Sequence, residues 1–203
     1  FLFRNQGETS FDLVEAGDLS NEARTTKAVA AFDANGDAIP DLAIGGQPNA
    51  LFVNDGGAFL AADGGDLANA GHVVALAPFD ADGDGDIDLA TGNSQEYSGE
   101  ANHLLLNDGA GRLILVDAGD FDDPILATTA VAALDGDGDG DMDLAVANSD
   151  DANALYLNDG AALFTQADAG DFDDAAGSTP PAYPGMCNCE DTAVSYTHLT
   201  LPT

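Results

Sequence analysis

Between Phe79 and Leu89 the chain reads Phe-Asp-Ala-Asp-Gly-Asp-Gly-Asp-Ile-Asp-Leu, with an aspartate at every second position across nine residues. Two unit charges 4 Å apart repel by about 1 kcal/mol even in bulk water. A folded chain therefore concentrates such a row only where a cation neutralises it. Hard oxygen donors on a glycine-flexed loop suit Ca²⁺, which takes six to eight oxygens at roughly 2.3–2.6 Å. Related runs begin at Asp33 and Asp135, 47 residues before and 55 residues after Asp80. One acidic run alone reads as solvated surface; three at matching offsets read as a repeated device.

Other landmarks recur with the loops. Each is followed by an apolar triplet and an Asn-Asp-Gly turn: Leu51–Val53 before Asn54, Leu104–Leu106 before Asn107, and Leu155–Leu157 before Asn158. Asn-Asp-Gly tolerates positive φ and marks a hairpin. Gly-Asp pairs recur at Gly17, Gly65, Gly119 and Gly170, and residues 1–7 resemble a degenerate earlier copy. Each unit then predicts four short strands. The first is the run before the loop (Ala28–Phe32, Val73–Phe79, Ala130–Leu134), and the second begins at Leu42, Leu89 and Leu144. The third is the apolar triplet, and the fourth follows the turn at Ala58–Ala61, Leu113–Val116 and Leu163–Gln166. No segment carries a long helical period with caps.

Four strands repeated every 40–50 residues are the signature of a β-propeller blade, which buries its faces only against neighbours. The expected fold is all-β, a propeller fragment of about three and a half blades, with an ion-binding loop between strands one and two of each full blade. A partial blade is expected over 1–19 and fuller blades near 25–67, 70–121 and 126–174, so that the repeat segment is 1–174. Residues 175–193, rich in Pro and Gly, read as a linker or insertion.

Counting each loop from its first aspartate, side-chain oxygens fall at positions 1, 3, 5 and 9. These are Asp33, Asn35, Asp37 and Asp41; Asp80, Asp82, Asp84 and Asp88; and Asp135, Asp137, Asp139 and Asp143. Position 7 holds Ile39, Asp86 and Asp141. Isoleucine offers no side-chain oxygen, so a main-chain carbonyl is the consistent donor there. Gly85 and Gly140 at position 6 match the glycine that a sharp calcium-loop bend needs, whereas Ala38 stands there in the first loop. With Asn35 also replacing an acid, the first loop is expected to bind its ion most weakly. A helix–loop–helix calcium hand needs a bidentate acid at position 12, where this chain has Ile44, Thr91 and Val146. That reading is excluded.

The pattern Phe-Asp-x-Asp-Gly-Asp-Gly-x-x-Asp-Leu, followed by Asn-x-Leu-Tyr-Leu-Asn-Asp-Gly, resembles the FG-GAP/VCBS repeats shared with the head of integrin α subunits. The resemblance covers about 1–174 and is closest in the second and third loops. It implies a propeller with about one Ca²⁺ per acidic loop, three in total. It also implies an exported or cell-surface protein, often adhesive or carbohydrate-associated.

Composition narrows the partners. Thirty-seven acidic residues against four basic ones give a formal charge of −33, which excludes nucleic-acid binding through a basic patch. At 45% hydrophobic the chain should nevertheless fold. No apolar run approaches the ~20 residues that span a bilayer, so no direct membrane insertion is expected in this segment. The first residues read as mid-strand, so the absence of a signal peptide carries no information. The last ten residues, 194–203, resemble a translated sequencing adapter and are set aside. Cys187 and Cys189 lie too close together to staple the fold.

Catalysis finds no motif: His72 begins a strand, His103 lies in a third strand, and no serine occupies a nucleophile elbow. The expected function is a calcium-binding, calcium-stabilised propeller segment of a secreted or cell-surface binding or adhesion protein, not itself an enzyme, with a protein or glycan ligand. The alternative is a scaffold or ancillary module of an exported polysaccharide-active enzyme.

Overall fold

The computed structural model describes residues 2–168 apart from 6, 8, 9, 21, 22, 96, 97, 124 and 150. The expected linker over 175–193, the tail over 194–203, Cys187, Cys189 and the Gly-Asp pair at 170 lie outside the described residues.

The described chain is all-β. A two-stranded hairpin, β1 (Leu2–Asn5) and β2 (Phe11–Val14), precedes three larger sheets. The first is β3 (Thr25–Phe32), β4 (Asp41–Gln47), β5 (Ala50–Asn54) and β6 (Phe59–Ala62), antiparallel and in chain order. The second contains β7 (Val73–Phe79), β8 (Asp88–Gln95), β10 (His103–Asn107) and β11 (Leu113–Val116) in the same order. The third is β13 (Thr128–Leu134), β14 (Asp143–Asn148), β15 (Ala154–Asn158) and β16 (Phe164–Gln166). Each acidic loop joins the first two strands of its sheet.

Among the described residues, only the second sheet is elaborated. The end of β8 turns back on β9 (Ser98–Ala101), which pairs in turn with β12 (Ile125–Leu126). The sequence analysis did not anticipate β9 or β12, because both are short and lack a clear alternating pattern.

The sheets stack face to face. One apolar core, holding Phe32, Leu51, Leu67, Leu89, Leu105 and Leu113, lies between the first and second sheets. The next, holding Phe79, Leu104, Phe121, Leu144, Tyr156 and Phe164, lies between the second and third. Successive strand residues point to opposite faces. Leu104 and Leu105 therefore enter different cores, and both are fully buried. This explains why the triplet is apolar throughout rather than alternating. Phe79 meets Phe164 edge-on at 6.3 Å, and Phe121 meets Tyr156 at 5.6 Å. β3, β7 and β13 pack side by side as the innermost strands. The chain is a fragment of a β-propeller.

Two sets of polar contacts fix how successive sheets meet. Leu115 N–H donates to Asp66 Oδ2 at 3.1 Å and Gln166 N–H to Asp120 Oδ2 at 2.9 Å. Ala61 N–H donates likewise to Asp18 Oδ2 at 3.0 Å. The recurrent Gly-Asp is thus a tether from the end of one sheet to the outer strand of the next. Its glycine must adopt positive φ (61°, 63° and 68° at Gly17, Gly65 and Gly119) and leaves no room for a Cβ. The second contact comes from the Asn-Asp-Gly turns. Asn107 Nδ2 donates to Ala34 O at 2.9 Å, and Asn158 Nδ2 to Ala81 O at 2.8 Å, each reaching the acidic loop of the preceding sheet.

Among the described residues, Asn54 Nδ2 donates only within its own sheet, to Pro40 O at 3.1 Å. Leaving a buried polar group unsatisfied costs about 1–3 kcal/mol. Asn158→Ala should therefore lower unfolding free energy by about that much, and Asn54→Ala by clearly less. Urea denaturation of both variants checks the difference; equal losses would remove the inter-sheet role.

Candidate metal centre

Each loop is built around the aspartate at position 9, the first residue of the second strand. Asp41, Asp88 and Asp143 are 0%, 1% and 0% exposed. A carboxylate is buried at such depth only when its oxygens are partnered. Asp88 Oδ2 accepts Ala81 N–H at 2.8 Å, and Oδ1 accepts Asn107 N–H at 2.7 Å. Asp41 does the same with Ala34 and Asn54, and Asp143 with Gly136 and Asn158. One carboxylate thus pins the start of its loop to the hairpin between the outer two strands.

The first aspartate organises the bend. Asp80 Oδ1 accepts Gly83 N–H at 2.8 Å and Oδ2 accepts Gly85 N–H at 3.1 Å. Asp33 receives Gly36, Asp37 and Ala38, and Asp135 receives Gly138. These bonds require positive φ at position 6, where Gly85 has 95° and Gly140 102°. Ala38 takes 65° in the first loop, a left-handed conformation that costs an alanine roughly 1–2 kcal/mol.

Three carboxylates converge in two of the loops. One oxygen each of Asp80, Asp82 and Asp88, and likewise of Asp135, Asp137 and Asp143, lie within 4.8 Å of one another. Oxygens bound at about 2.4 Å to one ion can lie at most about 4.8 Å apart, so both groups fit a single Ca²⁺. Asp84 and Asp139 at position 5 are not in these groups; their Oδ1 atoms accept Asp86 N–H and Asp141 N–H at 2.8 and 2.9 Å. The Asp86 and Asp141 carboxylates instead lie against Gly109 and Gly160 of the hairpin turns, where any Cβ would collide with them. Ile39 likewise packs toward Gly56.

No such group forms among the described residues of the first loop. There Asn35 and Asp37 are tied to each other, Asn35 Nδ2 to Asp37 Oδ2 at 3.2 Å and Asp37 N–H to Asn35 Oδ1 at 3.0 Å.

Residues 82–146 match the family described as FG-GAP-like repeat. Over these residues the chain is similar to an FG-GAP-like repeat. The match spans the second loop from its third position through the strand after the third loop. A solved structure of an Agrocybe aegerita lectin, described as specifically recognising non-reducing terminal N-acetylglucosamine, is 19% identical with a TM-score of 0.44. That match covers 68% of this chain and 36% of the lectin chain, so the chain spans little more than a third of that structure's length. No curated protein matches the chain.

A second polar constellation lies at the far end of the inner strands. His72 Nδ1 is 2.6 Å from Glu100 Oε1, His72 N–H donates to Glu100 Oε2 at 2.7 Å, and Gln95 Nε2 donates to Oε1 at 2.5 Å. Burial pushes the Glu100 carboxyl up, but the His72 and Gln95 donors outweigh it and hold it below its ordinary value. His72 was noted in the sequence only as a strand start. Glu100 and Gln95 were missed because nothing separates them, as sequence, from other polar residues of the chain.

Two outcomes follow from the loop geometry. In chelator, Ala38→Gly should stabilise the protein by about 1 kcal/mol, since glycine adopts positive φ freely; an unchanged urea midpoint would contradict the strain. The second concerns pH. Burial raises the Asp88 carboxyl to about 6, against the Asn107 and Ala81 donors and with help from Asp82 and Asp84 repulsion. A raised folded-state value favours the protonated form, so this stabilisation is present below the ordinary value near 3.8 and is lost as pH rises through about 6. Melting in chelator should therefore fall between pH 4 and 7, while the gain from calcium should grow over the same range. Chelator melts that rise across that range would contradict the burial of an uncompensated carboxylate.

Proposed function

We propose that this chain is a calcium-stabilised propeller segment of a secreted or cell-surface binding protein, presenting loops to a protein or glycan partner, and that it is not itself catalytic. The observation that carries this is the convergence of Asp80, Asp82 and Asp88, and of Asp135, Asp137 and Asp143, at distances one Ca²⁺ can span. The loops join strands rather than lining a cleft, which suits a structural ion. With calcium at ten times the dissociation constant, each site adds about 1.4 kcal/mol, a weak site matched to millimolar extracellular calcium. The excess of acid over base supports an exported, highly soluble surface. Among the described residues, no helix is long and apolar enough to cross a membrane.

In this reading the second and third loops bind calcium more tightly than the first, where Asn35 removes a charge and Ala38 strains the bend. Calorimetric titration of the chain with Ca²⁺ should resolve two tighter ions and one weaker one, with Asn35→Asp tightening the weak site. Two tight sites should together raise the melting temperature by roughly 6–11 °C. Melting curves that superimpose in calcium and in chelator would overturn the proposal.

A further inference from the structure

We propose that the cleft at the end of the inner strands remote from the acidic loops is a binding site for a neutral glycan, with the Nε2 lone pair of His72 as its fixed hydrogen-bond acceptor. The inference rests on the binding-module reading and adds to it a location and a ligand chemistry.

The cleft encloses about 1010 Å³ across all three sheets, enough for an oligosaccharide. Its walls are the starts of β3, β7 and β13 and the ends of β4, β8 and β14. The acidic loops sit at the opposite ends of these strands, about 20 Å away at ~3.3 Å per residue. The two functions are therefore spatially separate, one holding the sheets and the other facing outward.

The acceptor is built rather than incidental. Gln95 Nε2 and His72 Nδ1 lie 3.1 Å apart, and both point at Glu100 Oε1. Two donors converging on one carboxylate oxygen place an imidazole proton on Nδ1, and in the neutral ring Nε2 is then the acceptor. The His72 side chain is 38% exposed and lines the cleft, while Glu100 beneath it is 23% exposed. Asn93, fully buried, donates to Ala70 O at 2.8 Å and Ala101 O at 2.7 Å and so locks the backbone on both sides of the pair. Gly71 has a φ of 76°, and a Cβ there would lie 2.9 Å from Glu100 Oε2. Among the described residues, strand β9, which supplies Glu100, has no counterpart in the other two large sheets, so the constellation is specific to this one.

The rest of the lining selects the ligand. Lys27 and Asp151 give the lining one charge of each sign, and Thr25, Gln47 and Gln95 add neutral donors and acceptors. Sugar hydroxyls both donate and accept, so they suit such a mixture. Ile125, 72% exposed at the same cleft, offers an apolar contact for a sugar's C–H face. In a chain of formal charge −33, an anionic glycan would be repelled on approach.

The test uses the full chain, in calcium, on an array of neutral hexose and N-acetylhexosamine oligosaccharides with uronate and sulfated ones alongside. Neutral glycans should be retained, and His72→Phe should weaken them about tenfold or more, the loss of one well-placed hydrogen bond. His72→Gln, which keeps a carbonyl acceptor, should stay within about threefold of the parent. Nitrogen-15 spectra of the unliganded parent, independent of any variant's folding, should show the His72 proton on Nδ1. Retention of anionic glycans alone, binding indifferent to His72→Phe, or a proton on Nε2 would overturn the inference. A blank array with calcium still raising the melting temperature overturns this inference alone. A blank array from a chain that calcium does not stabilise overturns the binding-module reading as well.

Discussion

Everything in this chain hangs on a buried carboxylate at the ninth position of each acidic loop. Asp41, Asp88 and Asp143 each sit at the start of a second strand, and each spends its two oxygens on two backbone N–H groups far apart in sequence. A buried ion of this kind is costly unless fully partnered. At Asp88 burial disfavours the charge more than its two hydrogen bonds favour it, and Asp82 and Asp84 add repulsion. The same carboxylate that locks the loop also stands in the acidic groups of the second and third loops that could hold a cation. In the function proposed above, calcium would answer an electrostatic problem that burial of this carboxylate creates.

From that point order propagates outward. The loop's second residue carries a carbonyl that accepts the side-chain amide of the next sheet's Asn-Asp-Gly turn, at Ala34 and Ala81. On the outer side, Gly-Asp tethers link each sheet to the next through Asp18, Asp66 and Asp120. Between these two polar seams lie the apolar cores, each shared by neighbouring sheets. A stack in which every layer contacts only its neighbours has stability set by nearest-neighbour terms. An ion that rigidifies one loop therefore also seats the adjoining sheet.

Much of this was legible in the sequence, for definable reasons. Strand order followed from landmarks that keep their sequence order, and the Leu104–Leu106 triplet was legible as the third strand of its unit. The outward turn of Asp86 followed from Ile39 at the equivalent position, since a side-chain role there cannot be general. Other features left no local trace. The double role of Asp88 depends on N–H groups of Ala81 and Asn107, and any residue except proline supplies an N–H. The Gly-Asp pairs were visible as a repeat, but their partners lie more than forty residues away on another sheet. Strands β9 and β12 are too short to carry a pattern, and the His72–Glu100 pair arises only because β9 brings Glu100 back beside the start of β7.

The central claim is that one buried aspartate per loop joins loop, hairpin and neighbouring sheet into a single calcium-dependent unit. Amide hydrogen exchange with and without Ca²⁺ tests it most directly. The amides of Ala81 and Asn107, which donate to Asp88, should exchange together and slow by about tenfold or more when calcium is added. Gly136 and Asn158 should behave alike around Asp143. Slowing confined to the loop amides, with Asn107 and Asn158 unchanged, would contradict the account.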